Sequence, residues 1–218
     1  MAVNPETVNR ILTILDELYP WDGRCFLHYK EPWQLLFATI LSAQCTDDRV
    51  NQVTAVLYKK YPSLESIANA KLPALEKVIH STGFFRAKAR HLQNSARALL
   101  EKHNGQVPSS IEELTALSGV GRKTANVVRG HIFGLPSVVV DTHVMRVSRR
   151  LGLTEHTDPV KIEFQLMQVL PETHWIRCNQ QIISHGRAVC TARSPRCGEC
   201  RLAGECSFGI SEKSFQTQ

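Results

Sequence analysis

The 218-residue sequence has no apolar run long enough to cross a bilayer. The densest, Leu35 to Ala43, falls far short of the roughly 20 residues a spanning helix needs, so it predicts a buried helix and excludes a membrane span. A secretory signal is also missing. The chain opens instead on a helix start at Asn4-Pro5-Glu6, with Val8, Ile11, Leu12, Leu15 and Leu18 on one face. Strand signals are scarce: Val138-Val139-Val140 is short and runs straight into Asp141-Thr142, a helix-cap pattern, so it predicts a connector and an all-α fold. Repeats, low-complexity tracts and obvious linkers are lacking, and the length allows one or two domains able to bury a core without disulfide staples. Seven cysteines in such a chain point to a soluble, intracellular protein in a reducing compartment. Acidic residues are outnumbered, 20 against 26 Lys and Arg, for a net charge of +6. That excess suits a polyanion, and metal-bound thiolates would trim it, so it must be local to matter.

The most informative segment is Leu117-Ser118-Gly119-Val120-Gly121-Arg122-Lys123-Thr124-Ala125. Ser110 with Glu113 makes a capping-box pattern ahead of Ile111, Leu114 and Leu117 at helical spacing, and beyond the glycines Ala125, Val127, Val128 and Ile132 continue a helical face that Gly134 and Pro136 end. A glycine-pinched hairpin between two helices is expected, the glycines turning where a side chain would collide and exposing N–H groups to an anion. A phosphate-binding hairpin and an ordinary helix corner with a surface lysine both fit that pattern. Three further helices are predicted. One starts at Thr46-Asp47-Asp48 with Val50, Val53, Val56 and Leu57; another runs from about Arg86 to Lys102 and ends at Gly105; a third starts at Thr157-Asp158-Pro159 with Ile162, Leu166 and Val169.

Near the C-terminus Cys190, Cys197, Cys200 and Cys206 enclose gaps of six, two and five residues, and Pro195 and Gly198 supply turns. Four thiolates this close can share one metal centre. The spacing differs from both the bacterial ferredoxin run and paired zinc-ribbon knuckles, and the ligand set alone leaves zinc and an iron–sulfur cluster open. Cys25, Cys45 and Cys178 read as core or incidental thiols.

Together these features resemble the endonuclease III family of DNA base-excision glycosylases, over nearly the whole chain. The resemblance is carried by Leu41-Ser42-Ala43-Gln44-Cys45-Thr46-Asp47, the hairpin through Lys123-Thr124-Ala125-Asn126-Val127-Val128, Val140-Asp141-Thr142-His143-Val144, His185-Gly186-Arg187, and the cysteine array, in that order. It implies a helix-hairpin-helix glycosylase fold of two helical lobes with the active cleft between them. Residues 24–133 would form the barrel domain carrying the hairpin, and residues 1–23 with 134–218 the cluster domain. It also implies a four-iron four-sulfur cluster on Cys190, Cys197, Cys200 and Cys206, and a monomer acting on double-stranded DNA in the cytoplasm or nucleoid.

By the same resemblance Lys123 is the nucleophile and Asp141 the catalytic carboxylate. A neutral lysine can attack C1′ as the base departs, form a Schiff base with the opened sugar, and permit elimination of the 3′ phosphate. Lys123 must then lose its proton, and burial near Arg122 and the positive end of a helix would each favour that. Asp141 alone also reads as a plain helix cap. Gln44 matches the residue that fills the hole left by a flipped base, and His80-Ser81-Thr82-Gly83-Phe84 matches the wedge loop, with Thr82 and Phe84 where relatives often carry aliphatics. Phe84 reads equally as a stacking side chain or as core. Leu117, Gly119, Gly121, Arg122 and His143 would contact DNA at the hairpin and beside Asp141. Arg187, Arg193 and Arg196 would meet phosphates or form a plain solvated basic surface.

Lys123 is present, Thr39 stands where adenine-excising relatives carry glutamate, and only twelve residues follow Cys206. These features point to a bifunctional glycosylase and lyase acting on oxidised or ring-saturated pyrimidines. The same chemistry on a pyrimidine dimer or mismatched thymine, or a non-catalytic DNA-binding or redox-sensing module, are the alternatives.

Overall fold

The computed structural model describes residues 4–209. Eleven α-helices and three short 3-10 turns make up the described chain, and no strand forms among those residues. Residues 134–141, with the three valines, are the expected connector. The chain divides into two compact units, Cys25–Leu135, and Met1–Arg24 with Pro136–Gln218.

The continuous unit holds α2 (Pro32–Leu41), α3 (Asp47–Lys60), α4 (Leu64–Ala68), α5 (Leu72–Ile79), α6 (Phe85–His103), α7 (Ile111–Thr115) and α8 (Arg122–Phe133). Its centre is α2, whose residues from Trp33 to Leu41 are all buried, because the helix is apolar on every side. Helix α3 starts on the Thr46 cap, whose side chain accepts from the Arg49 N–H. It buries Val50, Val53 and Leu57, whereas Val56, expected on the same face, is 57% exposed. The stripe 50, 53, 57 turns Val56 outward by about one residue's 100°. Helix α6 ends on Asn104 and Gly105, both left-handed, with the Gly105 N–H donating to the Leu99 carbonyl at 2.9 Å.

The discontinuous unit holds α1 (Pro5–Leu18), α9 (Thr142–Leu151), α10 (Pro159–Val169) and α11 (Trp175–Ala188). Asn4 caps α1 by accepting from the Glu6 N–H at 2.9 Å, and Asp158 caps α10. Val8, Ile11, Leu12 and Leu15 of α1 share one core with Val144, Val147 and Leu151 of α9, Ile162 and Leu166 of α10, and Cys178 and Ile182 of α11. Burial pushes the Cys178 thiol up to about 12 and the Cys25 thiol of the other unit up to about 11, as expected of inert core cysteines. No helix among the described residues is long and apolar enough to cross a membrane.

Candidate active site and metal centre

The glycine segment folds as a hairpin between α7 and α8. Ser110 caps α7 by accepting from the Glu113 N–H at 3.1 Å, and the Val120 N–H donates to the Leu117 carbonyl at 3.2 Å to close the turn. Helix α6 holds the hairpin from one side: His91 Nδ1 lies 2.9 Å from Ser118 Oγ, and Ser95 Oγ donates to the Ser118 carbonyl at 2.8 Å. The two glycines are not equivalent. Gly119 has φ +78, and a Cβ there would sit 2.7 Å from His91 Cγ. Gly121, the cap of α8, has φ −96, and nothing of the protein lies within 4 Å of its missing Cβ. The expected collision therefore exists at Gly119 only; at Gly121 the open space faces solvent. Gly119→Ala is expected to destabilise the protein by about 1–3 kcal/mol, from overpacking and left-handed strain together. Gly121→Ala should leave the melting temperature close to unaltered, and thermal denaturation of the pair checks the contrast.

Lys123 stands in the first turn of α8 and is exposed, so the burial expected near Arg122 is not there. Leu117 is 4% exposed and belongs to the core, leaving only its backbone at the turn. Arg122 is half-buried beside Lys123.

In the other unit Asp141 caps α9. Its Oδ1 accepts from the His143 and Val144 N–H groups, each at 2.8 Å, while Oδ2 lies 3.1 Å from His143 Nδ1. The carboxylate is thus fixed by one oxygen with the other turned toward a histidine. The cap and the candidate catalytic group are one residue. Gly186 of α11 lets α9 come close, since a Cβ there would lie 3.2 Å from His143 Cδ2 and 3.1 Å from Arg146 Nη2.

Gln44 is exposed in the turn after α2, with φ 55. Phe84 is 68% exposed with φ 47, at the start of α6, so it is not core. Thr82 differs: it is 1% exposed, and its hydroxyl donates to the Ile79 carbonyl at 2.8 Å. Its side chain is committed to the fold. Thr39, too, is buried, its hydroxyl donating to the Leu35 carbonyl at 2.8 Å.

Cys190, Cys197, Cys200 and Cys206 all line one cavity, walled otherwise by Val147, Leu151, Leu202, His185 and Arg150 among others. Burial pushes the Cys200 and Cys206 thiols up, so bare thiolates are disfavoured there until a metal takes the place of the protons. Three nitrogens approach the sulfurs. Arg150 Nη1 is 3.3 Å from Cys190 Sγ, the Gly209 N–H donates to Cys206 Sγ at 3.4 Å, and His185 Nε2 is 3.6 Å from Cys200 Sγ. His185 is 2% exposed, and its Nδ1 lies 3.1 Å from the Tyr19 hydroxyl. The imidazole thus bridges the Tyr19 hydroxyl and the Cys200 sulfur, one ring nitrogen facing each. Four thiols round an apolar cavity, with N–H donors on two of them and an imidazole nitrogen beside a third, fit an iron–sulfur cluster, whose ligand sulfurs are commonly hydrogen-bonded.

Sequence reasoning missed Arg150 and Arg146, one helical turn apart on α9. Arg150 donates to the Thr191 and Ala192 carbonyls at 2.7 and 3.0 Å, and Arg146 to the Cys190 and Gly186 carbonyls at 3.2 and 3.1 Å. They brace the loop between the first two cysteines. On that loop Arg193 is exposed, while the exposed Arg196 donates to the Ala188 carbonyl and pairs with Glu199 at 3.9 Å. Arg187, at the end of α11, is exposed.

Residues 37–172 match the helix-hairpin-helix superfamily of base excision DNA repair proteins, and residues 190–206 match the iron–sulfur binding domain of endonuclease III. The chain is 53% identical to endonuclease III of Synechocystis over 94% of both chains, and 40% identical to that of Bacillus subtilis over 95% of this chain and 94% of the relative. A solved structure of an endonuclease III trapped as a covalent intermediate with DNA superposes with a TM-score of 0.91 at 40% identity, covering 97% of this chain and 99% of that one. With the hairpin and the cysteine-lined cavity already in place, these similarities settle the family: the chain belongs to the endonuclease III family of base-excision DNA glycosylases and AP lyases, with an iron–sulfur cluster as its cofactor.

Proposed function

We propose that the protein excises oxidised or ring-saturated pyrimidines from duplex DNA and then nicks the strand, with Lys123 as nucleophile and Asp141 as its catalytic carboxylate. The reading is carried by an exposed amine in the first turn of α8, two residues after a glycine whose missing Cβ opens onto solvent. An extended phosphate backbone can approach there, and the amine lies within the same turn. Lys123 Nζ, deprotonated to the neutral amine, forms a bond to C1′ as the bond from C1′ to the base breaks and its electron pair leaves with the base. A second N–H proton is lost and the C1′–O4′ bond opens, giving the imine and a 4′-hydroxyl. Removal of a C2′ proton then makes the C2′–C3′ double bond and expels the 3′ phosphate, and water hydrolyses the imine to free the enzyme. Asp141, fixed through Oδ1, stabilises the positive charge that develops on the sugar.

Gln44 fills the vacated stack and Phe84 packs against the unpaired base, both exposed at the surface of the hairpin-bearing unit. Gly119, Gly121 and Arg122 meet the backbone, His143 supports Asp141, and Arg187, Arg193 and Arg196 supply positive charge. The two units serve as barrel and cluster domains of a monomer working on intracellular DNA. The four cysteines hold a four-iron four-sulfur cluster that positions the basic loop, since no step above transfers an electron.

Borohydride trapping on duplexes containing thymine glycol, dihydrouracil, uracil opposite guanine, adenine opposite 8-oxoguanine or an abasic site tests the lesion class. Covalent adducts on the first two are expected. An adduct on the abasic site alone would mean a different base enters the pocket.

Any Cys→Ser substitution among the four ligands should abolish the broad visible absorption together with stoichiometric iron and sulfide. Arg150→Met should leave the cluster in place but accelerate its bleaching severalfold in air, because the loop loses two carbonyl braces and one N–H donor to sulfur.

A further inference from the structure

Three non-glycine residues among those described have positive φ: Gln44, Phe84 and Asn104. Asn104 ends a helix, where that conformation is ordinary. Gln44 and Phe84 end nothing, and phenylalanine is a poor occupant of the left-handed region. Such a backbone persists only where its surroundings over-determine it. Both side chains are exposed, so packing of the side chains themselves does not hold them.

Lys88 lies beneath both. It sits one turn into α6, its N–H donating to the Phe84 carbonyl at 3.0 Å, and it is 3% exposed. Its ammonium donates to the carbonyls of Leu41 and Ala43, each at 2.8 Å, and of Thr82 at 2.7 Å. An ammonium has three N–H donors, and all three are used on backbone oxygens. Leu41 is the last residue of α2 and Ala43 precedes Gln44; Thr82 is two residues before Phe84. One cation thus joins the turn carrying Gln44 to the loop carrying Phe84, at the negative end of α2. Burial pushes the Lys88 amine down, the cost of keeping a charge there. An apolar side chain would fill the same space without that cost but would leave three carbonyls unpaired.

We infer that Lys88 is a positioning residue that sets Gln44 and Phe84 as a pair, so that plug and wedge enter the duplex in one fixed geometry. The inference rests on the reading above that these two side chains contact DNA. Lys88 touches no substrate. It acts by denying the two loops independent movement, so that the entropy of ordering them is lost on folding rather than on binding.

The test uses cluster-loaded protein and a duplex with a tetrahydrofuran abasic analogue opposite 2-aminopurine, whose fluorescence rises when it unstacks. Lys88→Met, Gln44→Ala and Phe84→Ala are compared with unaltered protein. Lys88→Met is expected to lose most of the fluorescence rise and to bind the lesion duplex about tenfold more weakly, the scale of one lost base stack. Binding to undamaged duplex should stay within about twofold, since phosphate contacts supply it. Cleavage of an abasic site in single-stranded DNA, which has no stack to open, should be spared. Full fluorescence and lesion affinity in a folded Lys88→Met protein, with the two alanine variants impaired, would overturn the inference alone. Alanine variants indistinguishable from unaltered protein would overturn the DNA-contact reading and the inference with it. Should Lys88→Met fail to fold, Lys88→Gln keeps N–H donors on a shorter, neutral arm. In hydrogen exchange its segments 42–46 and 80–86 should lose protection together, and loss in one only, or in neither, would contradict the clamp.

Discussion

Replacing Lys123 with alanine is expected to lower both base excision and strand nicking by on the order of 10³-fold or more, the scale of losing a nucleophile. The borohydride adduct should vanish with it. Stability should scarcely change. The side chain is exposed and the residue lies in the first turn of α8, where the positive end of the helix opposes a lysine. Alanine is the best helix former and removes that opposition, so the change should stay within about 0.5 kcal/mol. Binding to a duplex with a non-cleavable abasic analogue should survive, since Gly119, Gly121 and Arg122 remain. Rates by single turnover, affinity by anisotropy and melting by circular dichroism separate chemistry from recognition and folding.

The second large effect is expected at Asp141, where capping and catalysis fall on one side chain. Asp141→Asn keeps an oxygen that can accept from the His143 and Val144 N–H groups, and asparagine caps helices about as well as aspartate. Stability should fall by less than about 1 kcal/mol, the usual worth of a charge at a helix N-terminus. Excision should fall by about 10²–10⁴-fold, because the amide can neither take a proton nor balance positive charge on the sugar. Asp141→Ala should lose comparable activity and, with the cap gone, about a further 1 kcal/mol of stability. If Asp141→Asn kept full activity while Asp141→Ala lost stability, the residue would be a cap and nothing more.

Much of this was legible locally. The helix starts at Asn4, Thr46, Ser110, Asp141 and Asp158 are cap chemistry within three residues, and each caps its helix by accepting backbone N–H groups. The cysteine array is close enough in sequence that few conformations separate its members, and its four thiols share one cavity. What could not be read are contacts whose partners lie far apart in the chain. Spacing alone treats Gly119 and Gly121 alike; only the approach of His91 from α6 separates them. Phe84 reads equally well as core or surface, and its exposure is decided by the backbone turn at its own Cα. Lys88 did leave a signal. It falls in register with Leu92, Ser95 and Leu99 on the buried stripe of α6, and a lysine on such a stripe requires partners. Arg146 and Arg150 left none, since a basic helix face reads as solvated until the loop it braces is in place.

The most direct measurement is peptide mapping of the borohydride-reduced adduct by mass spectrometry, using cluster-loaded protein and an abasic duplex. The sugar remnant should sit on Lys123 alone. An adduct on any other lysine or on the N-terminal amine, with Lys123 unmodified, would contradict the assignment of the nucleophile and the mechanism built on it.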